Sequence, residues 1–297
     1  MLNRLFASVD KPWVPGRDNK DRIELDFSGS KLAISLPPNS VWDMSEDSRG
    51  TSFNIFDDSQ YMGQRKLLPH EQGRFRYLPA FKRTFALWGK PWRKSELGTV
   101  SCIIGVSRTI GMPDTMSCFN PQHFEQALNR YLYSMYGPGS LAITGQTKRL
   151  APINWKMAAI GGLNWNYFEV HGDFRGYIDP PTKDETASFY VYLALPIDHS
   201  HFLTVMFDLM NYSSTDDISE SMQGLAQEIA ETITLEYSDS ATMQIEQAKL
   251  QWPEAHHSDQ RQSEEWLYHR MREGNTELNE PNLVIIEHGS PPPEWRP

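Results

Sequence analysis

The run from Phe189 to Leu195 constrains the fold more than any other part of the 297-residue chain. Both alternating faces of this run are apolar or aromatic, which is typical of a strand covered on both sides of a sheet. A second apolar strand is predicted over 201–210, and the loop from Pro196 to Ser200 is short enough to join two adjacent antiparallel strands. A sheet with such a central strand requires one layer of cover on each face.

Two amphipathic helices are predicted as these covers. Between residues 121 and 136 apolar side chains recur at spacings of three and four, Asn120 is placed to cap the start, and Gly137 follows the end. A second helix is predicted over 217–237 because one apolar stripe runs along it. The stripe consists of Ile218, Met222, Leu225, Ile229 and Ile233.

The remaining periodic segments predict an α+β fold, in which a mostly antiparallel twisted sheet is packed by helices as an α/β/α sandwich. Alternating polar and apolar residues predict a β-hairpin over 24–36. Further strands are predicted over 51–56, 74–87 with an interruption at Pro79, 98–110, 155–160, 163–171 and 187–195. We assign 20–240 to one main domain, with an irregular basic and aromatic stretch over 61–100, and 241–297 to an acidic C-terminal extension. In that extension the pattern predicts a short helix over 266–273, an edge strand over 283–286 and a proline-rich tail.

Two stretches of the chain resemble the PsbP/DcrB-like superfamily. The first, Lys31 to Asp43, is an apolar strand that runs into two prolines and then Trp42; the second is the pair of strands over 189–207, followed by the helix at 217. The resemblance implies a twisted antiparallel sheet between helices, with 61–100 and the part after 237 as additions. It also implies a non-catalytic role, since members act as adaptors, assembly factors and bacterial secretion-associated chaperones. It supplies no catalytic residue.

Charge is strongly segregated along the chain, whose formal net charge is -10. Residues 61–100 contain 9 basic and 2 acidic side chains, whereas 184–297 contain 5 basic and 21 acidic ones. An acidic chain repels phosphate at long range, so the total disfavours binding to nucleic acid or to an anionic membrane. No apolar run has the length of a membrane span, and the first residues lack the pattern of a signal peptide, which predicts a cytoplasmic protein.

The basic stretch over 61–100 is the candidate partner-binding region. Its cations alternate with aromatic residues, a composition that also suits a single-strand nucleic-acid platform. A strand with one buried and one solvated face explains the same alternation, and the positive face is then available to an acidic protein or to the acidic C-terminal part of the same chain. The candidate residues are Arg74, Arg76, Lys82, Arg83, Trp88, Trp92 and Arg93.

Histidines supply the candidate metal site. His199 and His201 are two residues apart, so a strand would direct both to one face, and His171 ends an earlier predicted strand. The alternative is an ordinary polar turn, since Asp, His and Ser are common turn residues. Cys102 and Cys118 lack the spacing of a zinc knuckle or a disulfide framework and are predicted to be packing residues.

The sequence therefore favours a non-catalytic cytoplasmic protein that binds another protein with an acidic surface, in a bacterial secretion, immunity or assembly setting. There is no nucleophile-elbow, phosphate-loop or dinucleotide-binding motif, so no cofactor is expected and an enzyme is disfavoured. Two alternatives stay open: a metal-dependent enzyme that uses His199 and His201, and single-strand nucleic-acid binding through 61–100. Neither the partner nor the oligomeric state follows from the sequence.

Overall fold

The computed structural model describes residues 2–41, 47–48, 50–62, 75–93, 95–136, 148–173, 188–212, 217–265, 270–271, 283–284 and 294–297. Within these residues the helices are α1 (Pro121–Tyr136), α2 (Asp217–Ala230) and α3 (Asp239–Gln251). The strands are β1 (Asp21–Phe27), β2 (Ser30–Leu36), β3 (Asp47–Ser48), β4 (Ser52–Phe53), β5 (Phe75–Trp88), β6 (Glu96–Thr109), β7 (Lys148–Ile160), β8 (Leu163–Asp173), β9 (Ser188–Asp198), β10 (His201–Asn211), β11 (Thr234–Glu236), β12 (Glu264–Glu265), β13 (Arg270–Met271) and β14 (Leu283–Val284).

The main sheet has the strand order β12-β7-β8-β9-β10-β6-β5-β3 in the described chain, and each of its neighbouring pairs is antiparallel. Strand β9 lies between β8 and β10, which confirms the central position predicted for Phe189 to Leu195. A small sheet has the order β11-β2-β1-β4 and contains the predicted hairpin, with Leu25 opposite Leu32. The α+β class predicted from the sequence is confirmed.

Each face of the main sheet has its own hydrophobic core. On one face, Leu193 of β9 and Phe207 of β10 pack in a cluster with α2 and the small sheet. On the other face, Tyr192 of β9 and Phe202 of β10 pack in a cluster with α1. We call these the α2 face and the α1 face. Side chains alternate along a strand, so a strand apolar on both sides supplies both cores.

Helix α1 begins and ends where the sequence predicts. The Asn120 side chain accepts hydrogen bonds from the backbone N–H groups of Gln122 (2.9 Å) and His123 (3.4 Å). Its carbonyl oxygen accepts from the N–H of Phe124 at 2.9 Å. Pro121 has no N–H to satisfy, so the capped start of the helix is complete.

The prediction of one helix over 217–237 was wrong at its C-terminal end. Helix α2 ends at Ala230, and the hydroxyl of Thr232 then donates to the carbonyl of Ile229 at 2.7 Å. The β-branched residues that follow favour extended backbone, and Leu235 pairs with Leu32 at the edge of the small sheet. The next helix, α3, begins at Asp239 with Ser238 as its cap and spans the domain boundary predicted at 240.

Three smaller predictions also differ from the structure. Strand β5 continues through Pro79, where the register shifts in a bulge that accommodates the missing N–H group. The strand predicted over 51–56 is only the two residues of β4. The helix predicted over 266–273 was wrong at Arg270 and Met271, which pair as a strand with β14; residues 266–269 and 272–273 lie outside the described chain.

Candidate functional site

The described part of the basic and aromatic stretch, residues 61–62, 75–93 and 95–100, contains β5, part of the turn after it and the start of β6. Arg74 lies outside the described residues. Arg76 forms an ion pair with Asp58 at 2.9 Å, and Arg108 contacts the same carboxylate oxygen at 2.7 Å. The Arg76 guanidinium is therefore engaged with an acidic residue of the same chain.

The side chain of Arg83 is buried rather than exposed, since the residue is only 4% accessible. Its Nη1 atom donates to Asp21 at 3.1 Å and to the carbonyl of Pro37 at 3.0 Å, which joins the main sheet to the start of the chain. Lys82 is half-buried, and its backbone lies opposite Asp47. The observed acidic partners of Arg76 and Arg83 thus come from the N-terminal part of the chain and not from its acidic C-terminal part.

Most aromatic residues of this stretch belong to the hydrophobic cores. Phe81 and Phe85 are buried on the α2 face. Phe75 makes edge contacts with Tyr131 and Phe202 on the α1 face. Bases stack on exposed ring faces, which these three side chains do not offer. The alternation of cations and aromatic residues is that of a strand between two cores.

The turn after β5 carries the exposed part of the stretch. Trp92 is 71% accessible, and the Nζ atom of Lys90 lies 5.3 Å from the centre of its ring. Arg93 is also exposed, and within the described residues neither Lys90 nor Arg93 forms an ion pair. Trp88, at the end of β5, is half-buried. Three of the predicted partner-binding residues, Trp88, Trp92 and Arg93, are therefore brought together at one end of the main sheet.

A short helix near the N-terminus, Leu2–Phe6, packs against this turn. The Arg4 side chain donates to the carbonyls of Gly89 and Arg93, both at 3.0 Å, and lies 4.6 Å from the centre of the Trp88 ring. Leu5 and Phe6, on the same helical turn, are 48% and 85% accessible. We call this surface the terminal patch; it consists of Arg4, Leu5, Phe6, Lys90, Trp92 and Arg93.

Sequence reasoning missed the contribution of the first six residues because it placed them outside the main domain. Leu5 and Phe6 are adjacent apolar residues in a segment whose only polar side chains before Phe6 are Asn3 and Arg4, and which is too short to have a core of its own. Such a segment either packs onto the domain or leaves its apolar side chains exposed to solvent. The structure shows both, since Arg4 docks and Phe6 is exposed.

The predicted metal ligands His199 and His201 lie at the turn between β9 and β10. His201 is 2% accessible; its Nδ1 atom lies 2.8 Å from Asp198, and its ring contacts Phe56 edge-on. His199 belongs to the turn itself, where its N–H donates to Gln244 at 2.7 Å. The two residues are thus not presented side by side on one strand face.

Asp198 organises the turn. Its carboxylate accepts from the Ser200 N–H at 3.1 Å and from Gln244 of α3 at 3.0 Å, in addition to its contact with His201. Burial alone raises the pKa of Asp198, but the hydrogen bonds from His201, Ser200 and Gln244 outweigh burial and lower the pKa well below its usual value. This arrangement is the polar turn that the sequence offered as the alternative to a metal site.

His171 lies far from that turn. It is opposite Phe189 in the register of β8 and β9, whereas His201 is opposite Asp198. Nine residues of β9 separate these positions, which at about 3.3 Å per residue is on the order of 30 Å. His171 instead pairs with Glu169 at 2.7 Å. The prediction that all three histidines share one site was therefore wrong, and within the described residues no three His, Cys, Asp or Glu side chains group as a metal would require.

Both cysteines are free thiols inside the protein, as predicted. Cys102 is buried on the α2 face and Cys118 on the α1 face. Burial raises the pKa of each thiol far above its usual value, so neither is a thiolate at neutral pH. They are packing residues rather than nucleophiles.

No model of a known protein family and no curated protein matches the chain. Among solved structures it is similar to LpqN, which is involved in cell envelope biogenesis in Mycobacterium tuberculosis, with 12% sequence identity and a TM-score of 0.28 over 55% of this chain and 85% of that one. None of the helices that the structure describes is both long enough and apolar enough to cross a membrane.

Proposed function

We propose that this protein is a non-catalytic cytoplasmic protein that binds an acidic protein partner through the terminal patch. The observation that carries the proposal is the pair of large exposed side chains, Phe6 at 85% and Trp92 at 71% accessibility, beside Lys90 and Arg93. Aromatic residues and arginine are enriched where protein interfaces concentrate their binding energy. Burial of one such ring contributes about 1.5–3 kcal/mol.

The N-terminal helix and the turn that carry the terminal patch are held together by contacts within the chain. Arg4 joins the N-terminal helix to both ends of the turn through the carbonyls of Gly89 and Arg93. Trp13 is also tied to Trp88 by two backbone hydrogen bonds of 2.8 and 2.9 Å. A fixed surface loses less conformational freedom on binding than a flexible one, which favours affinity.

Charge defines the chemistry of the partner. Lys90 lies 5.3 Å from the ring of the exposed Trp92, so the complementary surface is an apolar recess with acidic residues at its rim. Such charges increase the association rate at low salt and are screened at high salt. The biological settings that fit are those of a bacterial secretion-associated chaperone, an immunity protein or an assembly factor, as the resemblance of residues 31–43 and 189–207 implies.

Site-specific photo-crosslinking in the source cells tests this proposal. A photoreactive amino acid is placed at position 92 and, as a matched control, at Leu250, which is 85% accessible on α3. We expect one reproducible adduct from position 92 and none of that mass from position 250. The Phe6→Ser, Lys90→Glu double variant should lose the adduct, and affinity for the purified partner should fall as salt rises.

Equal adducts from positions 92 and 250 would refute the terminal patch as the binding surface. So would an adduct that persists in the double variant while circular dichroism shows that the variant is folded. If the pure protein turns over a substrate and yields no reproducible partner, the non-catalytic assignment itself is wrong.

A further inference from the structure

Strand β7 lies near one edge of the main sheet, and only its first part has an outer neighbour in the described chain. There β12 pairs with Leu150 and Ala151. From Lys156 to Ile160, β7 pairs with β8 on its inner side and with no described strand on its outer side. Ala159 is exposed, and the three other apolar residues of this segment are half-buried. We call the segment from Lys156 to Ile160 the open edge.

The turn after β7 determines which backbone groups of the open edge face outward. The two glycines that follow Ile160 both have positive φ, 58° and 79°, as in the tight turn of a two-residue hairpin. The residues that flank such a turn, Ile160 and Leu163, exchange both hydrogen bonds, and bonded and non-bonded pairs then alternate along the strands. The N–H and C=O groups of Met157 and Ala159 therefore point away from β8, and no described backbone group bonds to them.

The opposite edge of the main sheet is covered along β5. Trp13 pairs with Trp88, β3 pairs with the middle of the strand, and the N–H of Met62 donates to the carbonyl of Tyr77 at 2.9 Å. An uncovered edge is a template for another strand, so proteins usually cover or interrupt their sheet edges. Within the described residues, the chain uses three N-terminal segments to cover one edge and leaves the open edge of β7 without such a cover.

The features that usually protect an edge strand lie in the first half of β7. Pro152 and a bulge, in which Asn154 has a positive φ of 53°, precede the open edge. Lys156 is the one charged residue of the open edge. Its Nζ atom lies 4.5 Å from the centre of the Tyr167 ring on β8, so this cation is held over the sheet and not across its outer side. The backbone groups of the open edge are therefore accessible to a further strand.

The open edge is complementary to a second copy of itself. Met157 and Ala159 lie symmetrically about Ala158, so an antiparallel copy centred on Ala158 places Met157 opposite the partner's Ala159 and forms four backbone hydrogen bonds. Two small methyl groups then meet at the centre. The two Lys156 residues are offset by four positions along the paired strands, which is about 13 Å at about 3.3 Å per residue. That distance exceeds the Debye length of about 8 Å at physiological salt, so their repulsion is screened.

We propose that two copies of this chain pair through the open edges of β7, antiparallel and about a two-fold axis at Ala158. The same surface serves both copies, and assembly closes after two because the opposite edge of each sheet is covered. The pairing joins the two main sheets into one continuous sheet. The terminal patch lies at the end of β5, away from β7, so this dimer does not depend on the proposed protein partner.

Sedimentation velocity on the full-length protein tests the dimer, at concentrations up to about 1 mM because a contact made of a few backbone hydrogen bonds is weak. We expect a monomer–dimer equilibrium and no larger species. Ala159→Pro removes an outward N–H from each copy, a change that an edge strand tolerates, and should raise the dissociation constant at least tenfold. Ala159→Thr keeps the N–H and is the matched control, which should dimerise as the parent does.

Cysteine crosslinking tests the register. Residues directly opposite each other at a non-hydrogen-bonded position have Cα atoms about 4.5 Å apart, which is within reach of a disulfide. Under mild oxidation, Ala158→Cys should therefore form a covalent dimer. Ala159→Cys and Leu250→Cys place exposed thiols that do not lie opposite their own copies, so they should crosslink far more slowly. Both native cysteines are buried and do not contribute.

Charge at the centre of the pair gives an independent test. Ala158→Glu places two like charges directly opposite each other, as does Ala158→Lys, so each variant alone should be monomeric. An equal mixture of the two should restore the dimer. The proposal fails if the parent remains monomeric at the highest concentration or assembles beyond a dimer. It also fails if the mixture of the two variants, shown by circular dichroism to be folded, stays monomeric, or if Ala158→Cys crosslinks no faster than Leu250→Cys.

Discussion

The two faces of the main sheet are built from the same strands but from different kinds of side chain. The α2 face is mainly aliphatic, with Leu203, Val205 and Leu209 of β10 packed with α2 and the small sheet. The α1 face is mainly aromatic, with Tyr131, Phe168, Tyr192 and Phe202 among its core residues. Aliphatic side chains interdigitate closely, whereas rings fix their neighbours at particular angles and leave room for polar groups.

Both faces bury polar side chains: beside the α2-face core, Arg83 is 4% accessible and donates to Asp21 at 3.1 Å. The α1 face includes Asn166 with no partner in the described residues and Glu125, whose carboxylate accepts from the N–H and hydroxyl of Ser258 at 2.6 and 2.7 Å. A cavity of about 470 Å³ under α3 lies at the end of the sheet and is lined by residues of both cores, among them Phe124 and Leu195. The two faces therefore differ in the composition of their cores rather than in whether they bury polar groups.

The largest expected effect comes from two phenylalanines of β10, Phe207 and Phe202, whose side chains point to opposite faces of the sheet. Both are 0% accessible. Replacement of either with alanine should cost about 3–5 kcal/mol of unfolding free energy. We expect Phe207→Ala to cost about 1 kcal/mol more, because the cost of a deletion is greatest where the surroundings cannot collapse. Phe124, which lies between Phe202 and the cavity, has space to move.

Urea unfolding of both variants measures the difference. If Phe202→Ala proves the more costly change, the α1 face is the more rigidly packed one, and the comparison between the two faces is reversed.

The second effect concerns Asp198, which joins the faces by contacting His201 on one side and Gln244 of α3 on the other. Asp198→Asn should lower the unfolding free energy by about 1.5–3 kcal/mol, the usual value of hydrogen bonds to a charged group. Because the folded-state pKa of Asp198 lies below its unfolded value, this contribution is complete above the unfolded pKa near 3.8 and is lost as pH falls below it.

Acid titration of stability therefore distinguishes the two proteins. The parent should lose more stability than Asp198→Asn between about pH 5 and pH 2. Asp114→Asn, at an exposed carboxylate, is the matched control and should follow the parent curve. Parallel curves for Asp198→Asn and the parent would mean that the charge of Asp198 does not stabilise the turn.

The outline of this architecture was accessible from the sequence because it depends on local periodicity. The central strand Phe189 to Leu195 and the helix over 121–136 are each specified by their own residues, and both were predicted correctly. The end of α2 was not, because Thr234 to Glu236 becomes a strand only where β2 offers an edge to pair with. A pairing across about 200 residues leaves no local signal.

The sites show the same limit. Trp88, Trp92 and Arg93 are close in sequence, so the prediction that they act together needed only a turn. His171 and His201 are far apart in the sequence, and the distance between them in the structure is set by the register of β8, β9 and β10. Asn166 gave no signal at all, because an asparagine in a strand is notable only once it is known to be buried without a partner.

The third expected effect concerns the segment after α3, which is bound to Glu125 of α1. Glu125→Gln leaves one acceptor oxygen for two donors of Ser258, so the segment after α3 should be held less firmly. We expect a local loss of about 0.5–1.5 kcal/mol, the net contribution of one hydrogen bond, because the glutamine still accepts the other. Hydrogen exchange should accelerate at residues 255–261 and remain unchanged in β9 and β10. Uniform acceleration across all these segments would show that the segment after α3 and the sheet unfold as one unit.

The smallest expected effect comes from ion pairs on two helices that cover the sheet, α2 and α3. Glu228 of α2 contacts Arg17 at 2.5 Å and Lys20 at 2.7 Å, and these two cations lower its pKa although partial burial raises it. Glu228→Gln should cost about 0.2–1 kcal/mol, and added salt should reduce this cost. Among the described residues, Glu246 of α3 pairs with Lys249 alone, and both side chains are more than 60% accessible, so Glu246→Gln should cost less. Thermal unfolding at two salt concentrations ranks the pairs. An equal cost for the two variants would mean that the N-terminal segment bearing Arg17 adds nothing to the cover of the α2 face beyond a surface charge pair.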